Sequence, residues 1–225
     1  MSLVKISKTS VGKKVIMAAT GLALVGFILA HLLGNLTIFF GRDLLNSYAE
    51  HLQGLGPLLW VARISLLAIV AAHILVAVKL TRENRAARPN EYQFKKVIQT
   101  TYAARTMPMS GLIILAFIIF HLMHFTFKVT HPELSHFKLA SGEHDVYRMV
   151  VLSFQKIEIV LVYVIAQLLL AMHLSHGLSS LVQSLGFSNR SFRKKLEIGA
   201  RVTCFVIFAA YISIPLSCYF GMVKV

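Results

Sequence analysis

Cysteine, acidic residues and proline are all scarce in this 225-residue chain. The two cysteines, Cys204 and Cys218, both fall inside the last apolar run, which excludes a disulfide framework and a cysteine-ligated zinc or iron–sulfur centre. They read as small packing residues. Nine acids stand against 23 lysines and arginines, and the only acid within an apolar run is Glu158, close to that run's beginning. Among the five prolines, Pro57, Pro108 and Pro215 lie near apolar runs and just Pro215 is well inside one. The broken mid-membrane helices of many transporters are therefore not indicated. No A-x-A-like cleavage site follows the first apolar run, which reads as a retained spanning segment rather than a removed signal peptide. No stretch is polar enough to form a separate soluble domain, so the net charge of +14 has no platform on which to bind nucleic acid. No internal repeat stands out.

What the chain does have is apolar length. Apolar residues make up 56% and the mean hydropathy is +0.70, above the range of ordinary soluble domains. Five runs, near 14–40, 58–80, 107–128, 155–182 and 200–222, are each long enough to cross a hydrocarbon core of roughly 30 Å. The expected fold is an all-α membrane protein, a single transmembrane domain over 1–225 with five spanning helices, and loops near 81–106 and 183–199. Sixteen of the 23 basic residues fall on the side that carries the N-terminus, among them Lys13, Lys14, Lys79, Arg82, Arg85 and Lys194. The positive-inside rule then predicts a cytoplasmic N-terminus and an external C-terminus. A face this basic also suits anionic lipid headgroups or an acidic soluble partner.

Ten histidines are many for a membrane protein, because ionisable side chains in hydrocarbon are costly. Six lie within the apolar runs: His31, His73, His121, His124, His173 and His176. Counting residues from the helix ends at 1.5 Å per residue puts His31 and His121 toward the outer side, and His73 and His173 toward the cytoplasmic side. One histidine from each of four helices thus forms two pairs at two depths. Paired imidazoles across a bundle core are what a six-coordinate haem iron requires, and ligation satisfies a ring nitrogen that hydrocarbon would leave unpaired. A proton relay and a transition-metal permease use the same residue type but do not require paired depths. His124 and His176 each sit three residues beyond a proposed ligand and are the rival ligands; their ordinary reading is a solvated helix-end histidine. His131, His136 and His144 fall in an outer loop and are expected to be exposed. His51 belongs to the polar connection after the first span, where it suits the end of a surface helix.

Around these histidines the sequence resembles the single-subunit, diheme, five-helix cytochrome b (b558 type) that anchors succinate dehydrogenases and fumarate reductases. The matching segments are Ala30-His31-Leu32-Leu33-Gly34-Asn35, Ala72-His73-Ile74, Gly111 ten residues before His121, and His173-Leu174-Ser175-His176-Gly177-Leu178. Leu45-Asn46-Ser47-Tyr48-Ala49-Glu50-His51, followed by Pro57, looks like the family's connection between its first two helices. The resemblance covers nearly the whole chain, and its weight lies in the order and spacing across four helices.

It implies two haem b groups, ligated by His31 with His121 and by His73 with His173. It also implies a bacterial cytoplasmic membrane and partners on its cytoplasmic face: an iron–sulfur subunit and a flavoprotein that interconverts succinate and fumarate. Electrons would pass through the two haems to or from a quinone, usually menaquinone, with no succinate chemistry on this chain. Candidates for the quinone site are Glu50, His51 and Gln53. Arg63, Arg105, His124 and His176 are candidates for propionate or rim contacts. Some diheme relatives carry a glutamate two residues before the fourth-helix ligand as part of a proton path; that position is Ala171 here. The alternatives are a cytochrome b anchor of a formate dehydrogenase or hydrogenase, and a haem-free transporter lined by histidines.

Overall fold

The computed structural model describes residues 9–87, 102–134, 136–184 and 190–225. Among the described residues the protein is all-α, with five helices long and apolar enough to cross a membrane. In chain order the α-helices are α1 (Ser10–Leu36), α2 (Arg42–Gly54), α3 (Pro57–Ala86), α4 (Tyr102–His121), α5 (Val146–Ser153), α6 (Ile157–Ser184) and α7 (Arg190–Tyr219). The spanning helices are α1, α3, α4, α6 and α7. They alternate in direction, so α1, α4 and α7 start on what is here termed the N-terminal face. The short helices α2 and α5 cover the opposite, C-terminal face.

Local chemistry sets the helix ends. Thr9 caps α1 by accepting from the Gly12 amide at 3.0 Å. At the other end the Asn35 amide group donates to the His31 carbonyl and the Thr37 hydroxyl to that of Gly34, so carbonyls of the last turn gain extra partners. The chain then passes through a 3-10 turn, Thr37–Phe40, to Gly41, whose φ of +108° is open to glycine. Gly56 at φ +52° reverses the chain again, and Pro57 opens α3 at a position where its missing N–H costs nothing. Gly34 is buried directly against the ring of Tyr48, which fastens α2 beneath the end of α1.

The spanning helices group by packing. α1 lies against α3, α4 against α6, and α6 most extensively against α7. The α1/α3 and α4/α6 pairs meet mainly through α1 and α6. The apolar core is concentrated at the C-terminal end, where Ile38, Leu45, Tyr147, Val151, Phe154 and Val160 bring α1, α2, α5 and α6 together. α3 has no buried residue at all. Leu67, Leu75, Leu112 and Phe205 point outward with about two-thirds of their surface exposed, a distribution suited to lipid contact. Lys13, buried on α1, pairs with Glu83 near the end of α3. Pro215 interrupts the amide ladder of α7; one turn earlier, the Tyr211 hydroxyl donates to the Ile28 carbonyl of α1 at 2.7 Å.

Two expectations about connections need correction. The segments 81–106 and 183–199 are not simply loops, because α3 continues to Ala86, α4 starts at Tyr102 and α7 starts at Arg190. Apolar runs mark where the hydrocarbon ends, whereas Lys, Arg and Glu carry the helix onward with little loss of propensity. Residues 88–101 and 185–189 lie outside the described residues. The polar connection before α3 is largely the 13-residue helix α2, with His51 in its last turn, as the surface-helix reading of that histidine anticipated.

Candidate functional site

The four spanning helices α1, α3, α4 and α6 bring their histidines to two levels. At the C-terminal level, the rings of His31 and His121 are 5.8 Å apart, centre to centre, and almost perpendicular. Two imidazoles that ligate one metal from opposite sides, through bonds of about 2 Å, have ring centres about 6 Å apart. Phe27 stacks on His31 at 5.4 Å and Phe117 flanks His121 at 5.9 Å.

At the N-terminal level, His73 and His173 are each held by a hydroxyl from the neighbouring helix of their own pair. Thr20 Oγ1 of α1 is 3.0 Å from His73 Nδ1, and Ser110 Oγ of α4 is 3.1 Å from His173 Nδ1. The residue after each hydroxyl is glycine. A Cβ at Gly21 would stand 3.5 Å from His73 Cε1, and one at Gly111 would stand 3.6 Å from His173 Cε1. A methyl at either position would make ordinary van der Waals contact with the Cε1 side of the imidazole, so the glycines lie directly beside the two rings.

The separation of the levels follows from the helices themselves. Thr20 precedes His31 by eleven residues and Ser110 precedes His121 by eleven, which is three turns, or roughly 16 Å. The pattern hydroxyl-Gly-x9-His therefore occurs twice, once in α1 and once in α4. Between these positions both stretches are filled mainly with apolar residues. Thr20, Ser110 and Tyr163 were all missed as site residues, and this spacing was the available signal for the first two. An imidazole with Nδ1 occupied offers Nε2 to a metal. Four imidazoles from four helices are a donor set that fits two haem b groups, which would be held by His31 with His121 and by His73 with His173.

The C-terminal level is supported differently. Tyr163 Oη lies 3.2 Å from His121 Nδ1 and 3.0 Å from His124 Nδ1. A π-turn over Leu122–Thr126 directly follows His121, and it brings both histidines onto one phenol; such turns often occur at functional sites. His124 is 3% exposed, so the reading of it as a solvated helix-end residue is wrong. Its Nε2 is buried without a partner, as is His131 Nδ1, and the two rings are 5.3 Å apart. His131 is therefore partly buried, whereas His136 and His144 are exposed. His176 is half-buried and its Nε2 meets Ser180 Oγ at 3.1 Å.

The other candidates sit at the two faces. Glu50 and Gln53 of α2 line an open cleft of about 330 Å³ with Asn46, Gly54, Leu139, Glu143 and His144; His51 is exposed and does not line it. A hydrogen bond with the Glu143 carboxyl, together with its like charge, holds the Glu50 pKa above the ordinary value. His144 is held below the ordinary value, first by the charge of Lys128, then by partial burial and Lys138. Arg63 is exposed at the C-terminal end of the bundle with its guanidinium 5.1 Å above the Trp60 ring. Arg105 is exposed near the start of α4, at the opposite face.

Behind the cleft lies another element that sequence reasoning missed. Asp145 is 1% exposed, caps α5, and accepts from Arg42, from Asn46 at 3.0 Å and from the Arg148 amide at 3.1 Å. Asn46 in turn accepts from the Tyr147 amide at 2.9 Å. Burial alone would raise the Asp145 pKa, but these hydrogen bonds and the Arg42 charge hold it below its ordinary value. The network locks α2 to α5 and so fixes the cleft wall. No protein-family model matches the chain, and neither a curated protein nor a solved structure matches it.

Proposed function

We propose that this chain is the diheme cytochrome b membrane anchor of a succinate:quinone oxidoreductase. The observation that carries the reading is the set of four histidines, one from each of four spanning helices, lying at two levels, with the His31 and His121 rings 5.8 Å apart. Two haem b groups, when bound, supply one-electron exchange between a soluble donor and a membrane quinone.

The chain's own part is to hold and orient. The Nδ1 contacts of His73, His121 and His173 leave Nε2 for iron. The helices set the roughly 16 Å between levels. At the C-terminal face, the cleft of Glu50, Gln53, Glu143 and His144 is the proposed quinone pocket, and Gly34 on Tyr48 ties it to the helix that carries His31. Because Glu143 favours protonated Glu50, Glu50 is suited to take or give the proton that accompanies quinone chemistry. Menaquinone is the quinone that the resemblance implies. The basic N-terminal face, placed in the cytoplasm, suits docking of an iron–sulfur subunit and its flavoprotein.

A pyridine haemochrome assay with a reduced-minus-oxidised spectrum on the purified protein tests the reading. Two b haems per chain are expected. A folded preparation, grown with haem available, that contains none would overturn it in favour of a histidine-lined transporter.

A further inference from the structure

The hydroxyls of Thr20 and Ser110 each lie within hydrogen-bond reach of a carbonyl of their own helix as well as of an imidazole. Thr20 Oγ1 is 2.8 Å from the Ile16 carbonyl and 3.2 Å from that of Met17, and Ser110 Oγ is 3.1 Å from the Met107 carbonyl. A carbonyl can only accept, so each hydroxyl has an acceptor for its one proton and a lone pair free to meet its imidazole. With Nε2 of each imidazole on iron, as the haem reading has it, Nδ1 carries the ring proton, and His73 and His173 are the donors through Nδ1–H. The relay closes on the backbone of the hydroxyl's own helix, where no side-chain titration can reverse it. Both relays have the same length, the same helix-pair relation and the same following glycine.

We propose that Thr20 and Ser110 are a matched pair of positioning residues for the cofactor held by His73 and His173. They fix both ligands as Nδ1–H tautomers, set the ring planes, and strengthen both imidazoles as donors to the oxidised metal. This rests on the haem reading above. A donor hydrogen bond from a metal-bound imidazole increases the ligand's basicity. It stabilises ferric over ferrous iron, so the two relays together hold the midpoint potential of this haem down. Neither hydroxyl touches His31 or His121, whose level lies three turns away, so the other haem is untouched by them.

The test is a potentiometric titration of both haems, with low-temperature EPR of the oxidised protein, in wild type and in Thr20→Val, Ser110→Ala, Thr20→Ser and Ser110→Thr. Thr20→Val and Ser110→Ala are each expected to raise the potential of one and the same haem and to alter its low-spin EPR signal. That haem should also bind about 10- to 100-fold more weakly, while the second haem keeps its potential. Thr20→Ser and Ser110→Thr, which keep the hydroxyl, should restore wild-type values. The proposal is overturned if the two deletions shift different haems, or if two bound haems keep their potentials and EPR signals in both. Two independent positions guard against one variant failing to fold. A wild-type protein without haem would instead overturn the haem reading itself, before any variant is compared.

Discussion

The two histidine levels use the same ligand type and opposite strategies of support. At the N-terminal level each imidazole has its own hydroxyl, already committed to a carbonyl of its helix. At the C-terminal level one phenol serves two imidazoles, one of which, His124, keeps a buried nitrogen without a partner. The first arrangement is closed: each hydroxyl has a carbonyl within reach for its proton and an imidazole for its lone pair. The second is open: Tyr163 has a single proton to give, so the proton positions of His121 and His124 depend on each other. A closed support fixes a ligand, while an open one leaves it coupled to its surroundings.

The largest effects should come from the ligands. His73→Ala and His173→Ala are each expected to remove one and the same haem, and His31→Ala or His121→Ala the other, as counted by haemochrome assay. His124→Ala should leave both haems in place; loss of one would transfer the ligand role by a helical turn and erase the contrast between levels. Gly21→Leu and Gly111→Leu, by filling the space beside His73 and His173, should empty the N-terminal level alone.

A smaller effect tests the open support. Tyr163→Phe leaves two buried Nδ1 atoms without their partner, at a cost of about 1–3 kcal/mol, read as a lower thermal midpoint in detergent. Its spectroscopic consequence should be confined to the His31/His121 haem. Asp145→Asn removes charge-assisted hydrogen bonds worth about 1.5–3 kcal/mol each in comparable settings. It should loosen the cleft and leave both haems bound.

The same carboxylate sets an acid limit. Because the folded pKa of Asp145 lies below the unfolded value of 3.8, its stabilisation is fully present above that value. It is lost as pH falls through the depressed folded value, so Asp145→Asn should flatten the acid limb of a stability–pH curve. The smallest effect concerns Glu143→Gln, which removes a like charge beside Glu50. The Glu50 carboxyl, followed by infrared difference spectroscopy, should then titrate at lower pH than in the wild type.

Much of the architecture was legible because a bilayer imposes length. Five runs of apolar residues can hardly be anything but spanning helices, and histidines inside them stand out against that background. The surface helices α2 and α5 were less visible, being short and held by tertiary contacts such as Gly34 with Tyr48. Asp145 could not be recognised, since its partners Arg42 and Asn46 lie about a hundred residues away in sequence. The burial of His124 depends on a π-turn, which no local residue type announces. Thr20 and Ser110 were hidden by their ordinariness: single hydroxyls in spanning helices commonly bond their own backbone, and only the shared distance to a histidine distinguishes these two.

That shared distance makes the bundle a ruler. Ten residues stand between support and ligand in α1 and in α4, and many of them, Leu22, Leu29 and Leu112 among them, are exposed apolar side chains open to exchange. They cannot vary in number. One added residue would turn the support about 100° away from its imidazole while advancing it by only about 1.5 Å, so a change of length that hardly alters hydropathy would uncouple the two levels at once.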